Sequence, residues 1–193
     1  MRRQRSFSPL RLAFLLVAVV PVLAWFVVKP VRVVLPELAG VQCVTRTICT
    51  DDPAQLARAQ ALYSEALDFV RSNVSVVSVQ PRVVFCATQA CADRFGLGAR
   101  SAVTLGTWGT VIGPNAWKPF YVRHEMIHVA QAEHLGVLSL LRKPSWFVEG
   151  MAYGLSQDPR APLAEPFEGY RRAFFTWYEG VGKDRLWGSA AQL

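Results

Sequence analysis

Phe120–Leu135 reads FYVRHEMIHVAQAEHL, and within it His124-Glu125-Met126-Ile127-His128 spells HExxH. Four residues of α-helix advance about 400°, so the two imidazoles share one face, one turn apart. That spacing suits two nitrogen ligands on a single Zn2+, while Glu125, displaced by one residue, misses the ion but can reach a water held there. Drawn at random from a composition with three histidines, the pattern would arise in roughly two chains per thousand. Val122, Met126, Ile127, Val129, Ala130 and Ala132 make the rest of this helix apolar. Trp117, Tyr121, His124, His128 and Gln131 run along it as one polar and aromatic stripe, the pattern of a buried helix that borders a cleft.

Working outward, a catalytic zinc needs a third protein ligand and an open fourth position. His134 lies six residues beyond His128, the spacing of the HExxHxxGxxH extension, but Gln131 stands where that motif has glycine. Without a helix break His134 lies about 240° round from His128 and points away. The other candidate is Glu149, in Trp146-Phe147-Val148-Glu149-Gly150-Met151-Ala152. Pro144-Ser145 starts a helix there, and Gly150 and Ala152 are small enough for a close approach to the motif helix.

HExxH followed some twenty residues later by W-F-x-E-G-x-A resembles the gluzincins, and most closely the short peptidase-MA-like members of the thermolysin-type clan. The resemblance covers residues 53–180 in element order and 117–155 in motif. It implies a zincin-like metallopeptidase with His124, His128 and Glu149 as Zn2+ ligands and Glu125 as general base. It also implies a sheet edge above the cleft where an extended peptide or protein substrate adds as a strand, which we assign to Thr107–Ile112. The chain departs from the pattern at Tyr153, where thermolysin-like enzymes carry an aspartate that orients a histidine. Tyr153, Tyr170, Arg171 and Tyr178 stay open as donors to a tetrahedral oxyanion. The competing expectation is a catalytically degenerate zincin-fold module that binds or assembles in the cell envelope.

Before the motif, Asp51-Asp52-Pro53 supplies a cap and a first-turn proline for a helix over 53–72, with Leu56, Ala59, Leu62, Tyr63, Ala66, Leu67 and Val70 at helical spacing. Val77–Cys86 and Ala102–Ile112 read as strands, Pro81 confining the first to an edge or a bulge. After it, two helices occupy 144–157 and 165–179, the second carrying Tyr170, Phe174, Phe175, Trp177 and Tyr178 against the core. Strands first and helices afterwards make the domain α+β, with a small antiparallel or mixed sheet.

The chain's net charge is +7 over 193 residues, but Arg2, Arg3, Arg5, Arg11, Lys29 and Arg32 all precede the first acid, Glu37. From residue 33 onward 15 cations face 14 anions, which excludes a nucleic-acid-binding surface. Leu12–Val28 is a run of 17 uncharged, strongly apolar residues, at the lower limit for a transmembrane helix. Its flanking charges place the N-terminus in the cytoplasm, giving a tail and anchor over 1–32 and an exported catalytic domain over 33–193. The expectation is a single-pass protein of the inner (cytoplasmic) membrane with its catalytic domain on the periplasmic side. A signal peptide cleaved near Ala24 would deliver the same compartment. Cys43, Cys49, Cys86 and Cys91 form two local pairs, with five and four residues between partners, and an even count in an exported domain reads as disulfides. We pair Cys43 with Cys49 and Cys86 with Cys91, the other two connectivities and a four-thiolate zinc site being the rivals.

Overall fold

The computed structural model describes Ala13 and residues 15–193. The four arginines that set the expected membrane orientation (Arg2, Arg3, Arg5 and Arg11) lie outside the described residues.

The described part of the apolar N-terminal stretch makes only a short helical run. Leu15–Val19 winds as a π-helical turn, α1 spans Val20–Val27, and from Lys29 the chain tightens into 3-10 turns, Lys29–Val34 and Pro36–Ala39. The eight residues of α1 rise about 12 Å, against about 30 Å of hydrocarbon. Among the described residues no helix is long and apolar enough to cross a membrane, which overturns the expected single-pass membrane protein. The physical reason is local: α1 stops at Val28, which leaves the helical region with φ −101° and ψ 76°, and the 3-10 turns that begin at Lys29-Pro30 fold back onto the domain. Val33 is fully buried under the sheet, and Arg32 donates from Nη1 to the Arg94 carbonyl at 2.6 Å.

The domain is α+β. Among the described residues its sheet has five strands, β1 (Gln42–Cys43), β2 (Ile48–Thr50), β3 (Arg82–Phe85), β4 (Ala102–Leu105) and β5 (Gly109–Ile112), in the order β1-β2-β3-β5-β4. β2, β3 and β5 run parallel, and β1 and β4 pair antiparallel at the two edges, so the sheet is mixed. Strand alternation splits its faces. Ile48, Val83, Phe85 and Ile112 point into the main core, while Cys49, Val84 and Val111 pack with Val33, Val41, Phe95 and Leu97 in a smaller one. Both expected disulfides are present: Cys43–Cys49 crosses the β1–β2 register, and Cys86–Cys91 ties the end of β3 to α3 (Gln89–Arg94).

Two strand expectations need correcting. Ala102–Ile112 is a hairpin, because Gly106 adopts φ +55° and reverses the chain before β5. The free edge is therefore β4, and β5, inside the region we assigned to the edge, is enclosed between β3 and β4. β3 is likewise interior, and Pro81 is tolerated because it lies one residue outside the strand.

On the main-core face lie α2 (Leu56–Asn73) and α4 (Pro119–Leu135), followed by α5 (Val137–Leu140), α6 (Ser145–Leu155), α7 (Phe167–Val181) and α8 (Leu186–Ala191). Asp52 caps the turn before α2 by accepting from the Ala54 amide at 3.0 Å. α4 is buried on several sides, and Arg123 locks it to α2 by donating to Glu65 at 2.8 Å and covering the Phe69 ring at 4.0 Å. The aromatic residues of α7 pack as expected, with Phe174 fully buried and Trp177 5.4 Å from Phe147. Gly150 serves a different neighbour from the one expected. A Cβ there would sit 2.2 Å from the Tyr170 carbonyl oxygen, so its smallness admits α7 and not the motif helix.

Candidate metal centre

α4 begins at Pro119, whose missing N–H costs nothing in a first turn, and ends where Gly136 takes φ +78°. Between them the helix delivers His124 and His128 to the floor of a cleft, and α6 delivers Glu149 from the side. His124 Nε2 and His128 Nε2 lie 3.1 Å apart, and they stand 3.6 Å and 3.8 Å from the two Glu149 carboxylate oxygens. Two ligands held about 2.05 Å from a tetrahedral ion are about 3.3 Å apart. The three side chains thus span the edges such an ion requires, with a nitrogen, nitrogen, oxygen donor set that suits zinc. Burial would raise the Glu149 carboxyl, but the hydrogen bond with His124 and the two neighbouring imidazoles outweigh it, and its pKa lies below the ordinary 4.5.

The orientation of His128 is set by Gln131, which is fully buried one turn further along α4. The Gln131 amide nitrogen donates to the Val148 carbonyl at 2.9 Å, so its oxygen is the atom 2.8 Å from His128 Nδ1. An amide oxygen only accepts; His128 therefore carries its proton on Nδ1 and turns the Nε2 lone pair toward Glu149. Gln131 thus holds the His128 ring in one orientation and one tautomer. Tyr153 lays its ring against His124 at 4.4 Å between centroids. Burial, and next the Glu149 carboxylate, push the Tyr153 hydroxyl up to about 12, so it remains a proton donor at neutral pH.

Glu125 is buried beside the cluster and lines the same cleft, and the Thr104 hydroxyl of β4 lies 2.7 Å from its Oε2. The cleft has a volume of about 780 Å³, with β4 along one wall and Tyr153, Phe167 and Tyr170 on another. Arg160 adds a cation at its rim, held by Asp158 and by the Tyr121 hydroxyl at 3.0 Å. Of the four open oxyanion donors, Tyr153 and Tyr170 line the cleft. Arg171 is instead paired with Glu168, and Tyr178 stacks on Phe174. His134 faces away, stacked on Trp187 at 4.3 Å with Nε2 3.2 Å from the Val76 carbonyl oxygen. Thr104, Asp158 and Arg160 were not singled out from sequence, since only the fold carries them to the cleft.

Compared with protein-family models, curated proteins and solved structures, the chain matches none.

Proposed function

We propose that the protein is a zinc-dependent peptidase of the gluzincin type on a zincin-like fold, hydrolysing peptide bonds of a peptide or protein substrate. One observation carries the reading: His124, His128 and Glu149 converge to within 4.8 Å in a cleft whose next buried side chain is the Glu125 carboxylate.

His124, His128 and Glu149 would hold the ion. When bound, zinc supplies Lewis acidity, lowering the pKa of a water toward about 7 and polarising a carbonyl. The chain's own groups do the rest. Glu125 takes a proton from the attacking water and later hands it to the leaving amine nitrogen. The free edge of β4 offers backbone groups to an extended peptide, which pairs there as a sixth strand. The tyrosine hydroxyls at 153 and 170 are available to the negative oxygen of the tetrahedral intermediate.

The competing reading, a zincin-fold module without activity, draws on Tyr153 standing at the position of the orienting aspartate. Gln131, already bonded to His128, fills that role and favours the enzyme. The test is metal analysis of the purified protein, followed by digestion of a peptide library with and without chelator. We expect one zinc per chain and chelator-sensitive cleavage. Glu125→Gln should keep zinc and abolish hydrolysis, Glu149→Ala should lose zinc, and His134→Ala should keep it. Zinc without chelator-sensitive cleavage would establish the binding module instead.

A further inference from the structure

Thr104 stands opposite Thr110 in the β4–β5 register, and the two hydroxyls lie 2.8 Å apart on the side of the sheet that meets α4. Thr104 Oγ1 is also 2.7 Å from Glu125 Oε2. Each hydroxyl has a single proton, and an ionised carboxylate only accepts. The Thr104 proton therefore points at Glu125, and Thr110, only 2% exposed, donates to the Thr104 oxygen. The result is a directional chain of two hydroxyls ending on the carboxylate.

We propose that Thr104 is a positioning residue for Glu125: its hydroxyl ties down Oε2 so that Oε1 is the oxygen presented to the cleft. The proposal rests on the peptidase reading and adds to it which carboxylate oxygen works and what aims it. As the water oxygen bonds to the carbonyl carbon, one water proton moves to Oε1, and the Thr104 bond to Oε2 persists unchanged. The proton then leaves Oε1 for the amine nitrogen as the C–N bond breaks, which restores the carboxylate. Thr104 also belongs to the strand whose edge receives the substrate, so one residue links the register of the bound peptide to the placement of the base.

The test compares Thr104→Val, Thr104→Ser and the double variant Thr104→Val/Thr110→Val with the wild type, all loaded with zinc. A hydrogen bond to a charged group is lost in the valine variants, and kcat should fall roughly ten- to a hundredfold with KM and zinc stoichiometry unchanged. Serine should restore kcat. The double variant leaves no orphaned hydroxyl, so it should regain part of the melting temperature lost in Thr104→Val but none of the kcat. Independently of turnover, the 13C signal of the Glu125 carboxylate in metal-free protein should shift in Thr104→Val and return in Thr104→Ser. A wild type without chelator-sensitive cleavage would bring down the peptidase reading beneath this one. A cleaving wild type whose double variant keeps kcat, or an unmoved carboxylate signal, would overturn the role of Thr104 alone.

Discussion

Replacing Gln131 by leucine keeps the volume of a fully buried side chain and removes both of its hydrogen bonds. Val148 lies inside α6, where its carbonyl retains a helical partner, so that loss is small. The His128 Nδ1–H has no such reserve. One orphaned buried donor costs about 1–3 kcal/mol, which for a chain of this size lowers Tm by roughly 2–12 °C. The larger consequence is chemical: with nothing holding the proton on Nδ1, the ring is free to flip or change tautomer and withdraw its Nε2 lone pair from Glu149. Removing the partner that orients a ligand histidine typically weakens metal binding ten- to a hundredfold. The assay is thermal melting of metal-free protein together with zinc affinity by competition against a chromophoric chelator. Gln131→Glu separates the two effects, because a carboxylate still accepts from Nδ1–H but cannot donate to the Val148 oxygen. That variant should bind zinc as tightly as the wild type while melting lower. A Gln131→Leu protein whose zinc affinity stays within about twofold of wild type would refute the orienting role.

Two further outcomes test the fold around the site. Gly150→Ala places a methyl 2.2 Å from the Tyr170 carbonyl oxygen and 2.9 Å from Phe174 Cβ, so α7 must move off α6. We expect a loss of about 1–3 kcal/mol or more in thermal melts, with Gly154→Ala milder because its contacts are aromatic ring atoms at 3.1–3.2 Å; equal melting of the two would contradict this packing. Asp158 is the acid-side probe: burial would raise its carboxyl, but the hydrogen bonds and charge of Arg160 outweigh that, and its pKa lies below the ordinary 3.8. A depressed carboxylate contributes stability that is present above its unfolded value and is lost as pH falls through the folded one. The Tm difference between wild type and Asp158→Asn should hold from pH 7 to about 4 and shrink below it; a gap unchanged down to about pH 2 would show that this ion pair does not stabilise the fold.

The helices were legible because burial imposes a 3.6-residue period. Asp52-Pro53 and the spacing from Leu56 to Val70 locate α2 to within a few residues, and Pro144-Ser145 locates the start of α6. Short strands carry less pattern. Ala102–Ile112 looks like a single β-branched run unless Gly106 is recognised as the reversal, and that one turn decides which strand is the edge. At the N-terminus the apolar count says what a membrane would tolerate but not how long a helix the chain makes. Val28 leaves the helical region, and the 3-10 turns after it end the helix early. In the site, His124, Glu125, His128 and Gln131 were visible together because they are positions of one helix. Thr104 was invisible, since its place beside Glu125 depends on how β4 packs against α4.

This division also sorts the site by how it can fail. Four of its side chains inherit their geometry from α4 alone, at i, i+1, i+4 and i+7, so they remain in register as long as that helix is formed. Glu149 has no such guarantee, because it reaches the histidines only through the contact between α6 and α4. Gln131 spans that contact: its oxygen sets the tautomer of His128, and its nitrogen holds the carbonyl of Val148, the residue before Glu149. One amide therefore fixes the ring of His128 and the backbone beside Glu149, and loosening α6 weakens both at once. The ion would act back on the same contact. Metal binding to the folded state alone adds about 4 kcal/mol at a thousandfold excess over Kd, and that energy is available only while α6 stays docked. The joint between α4 and α6 should accordingly be the part of the fold whose stability depends most on zinc, with the sheet and α2 least affected.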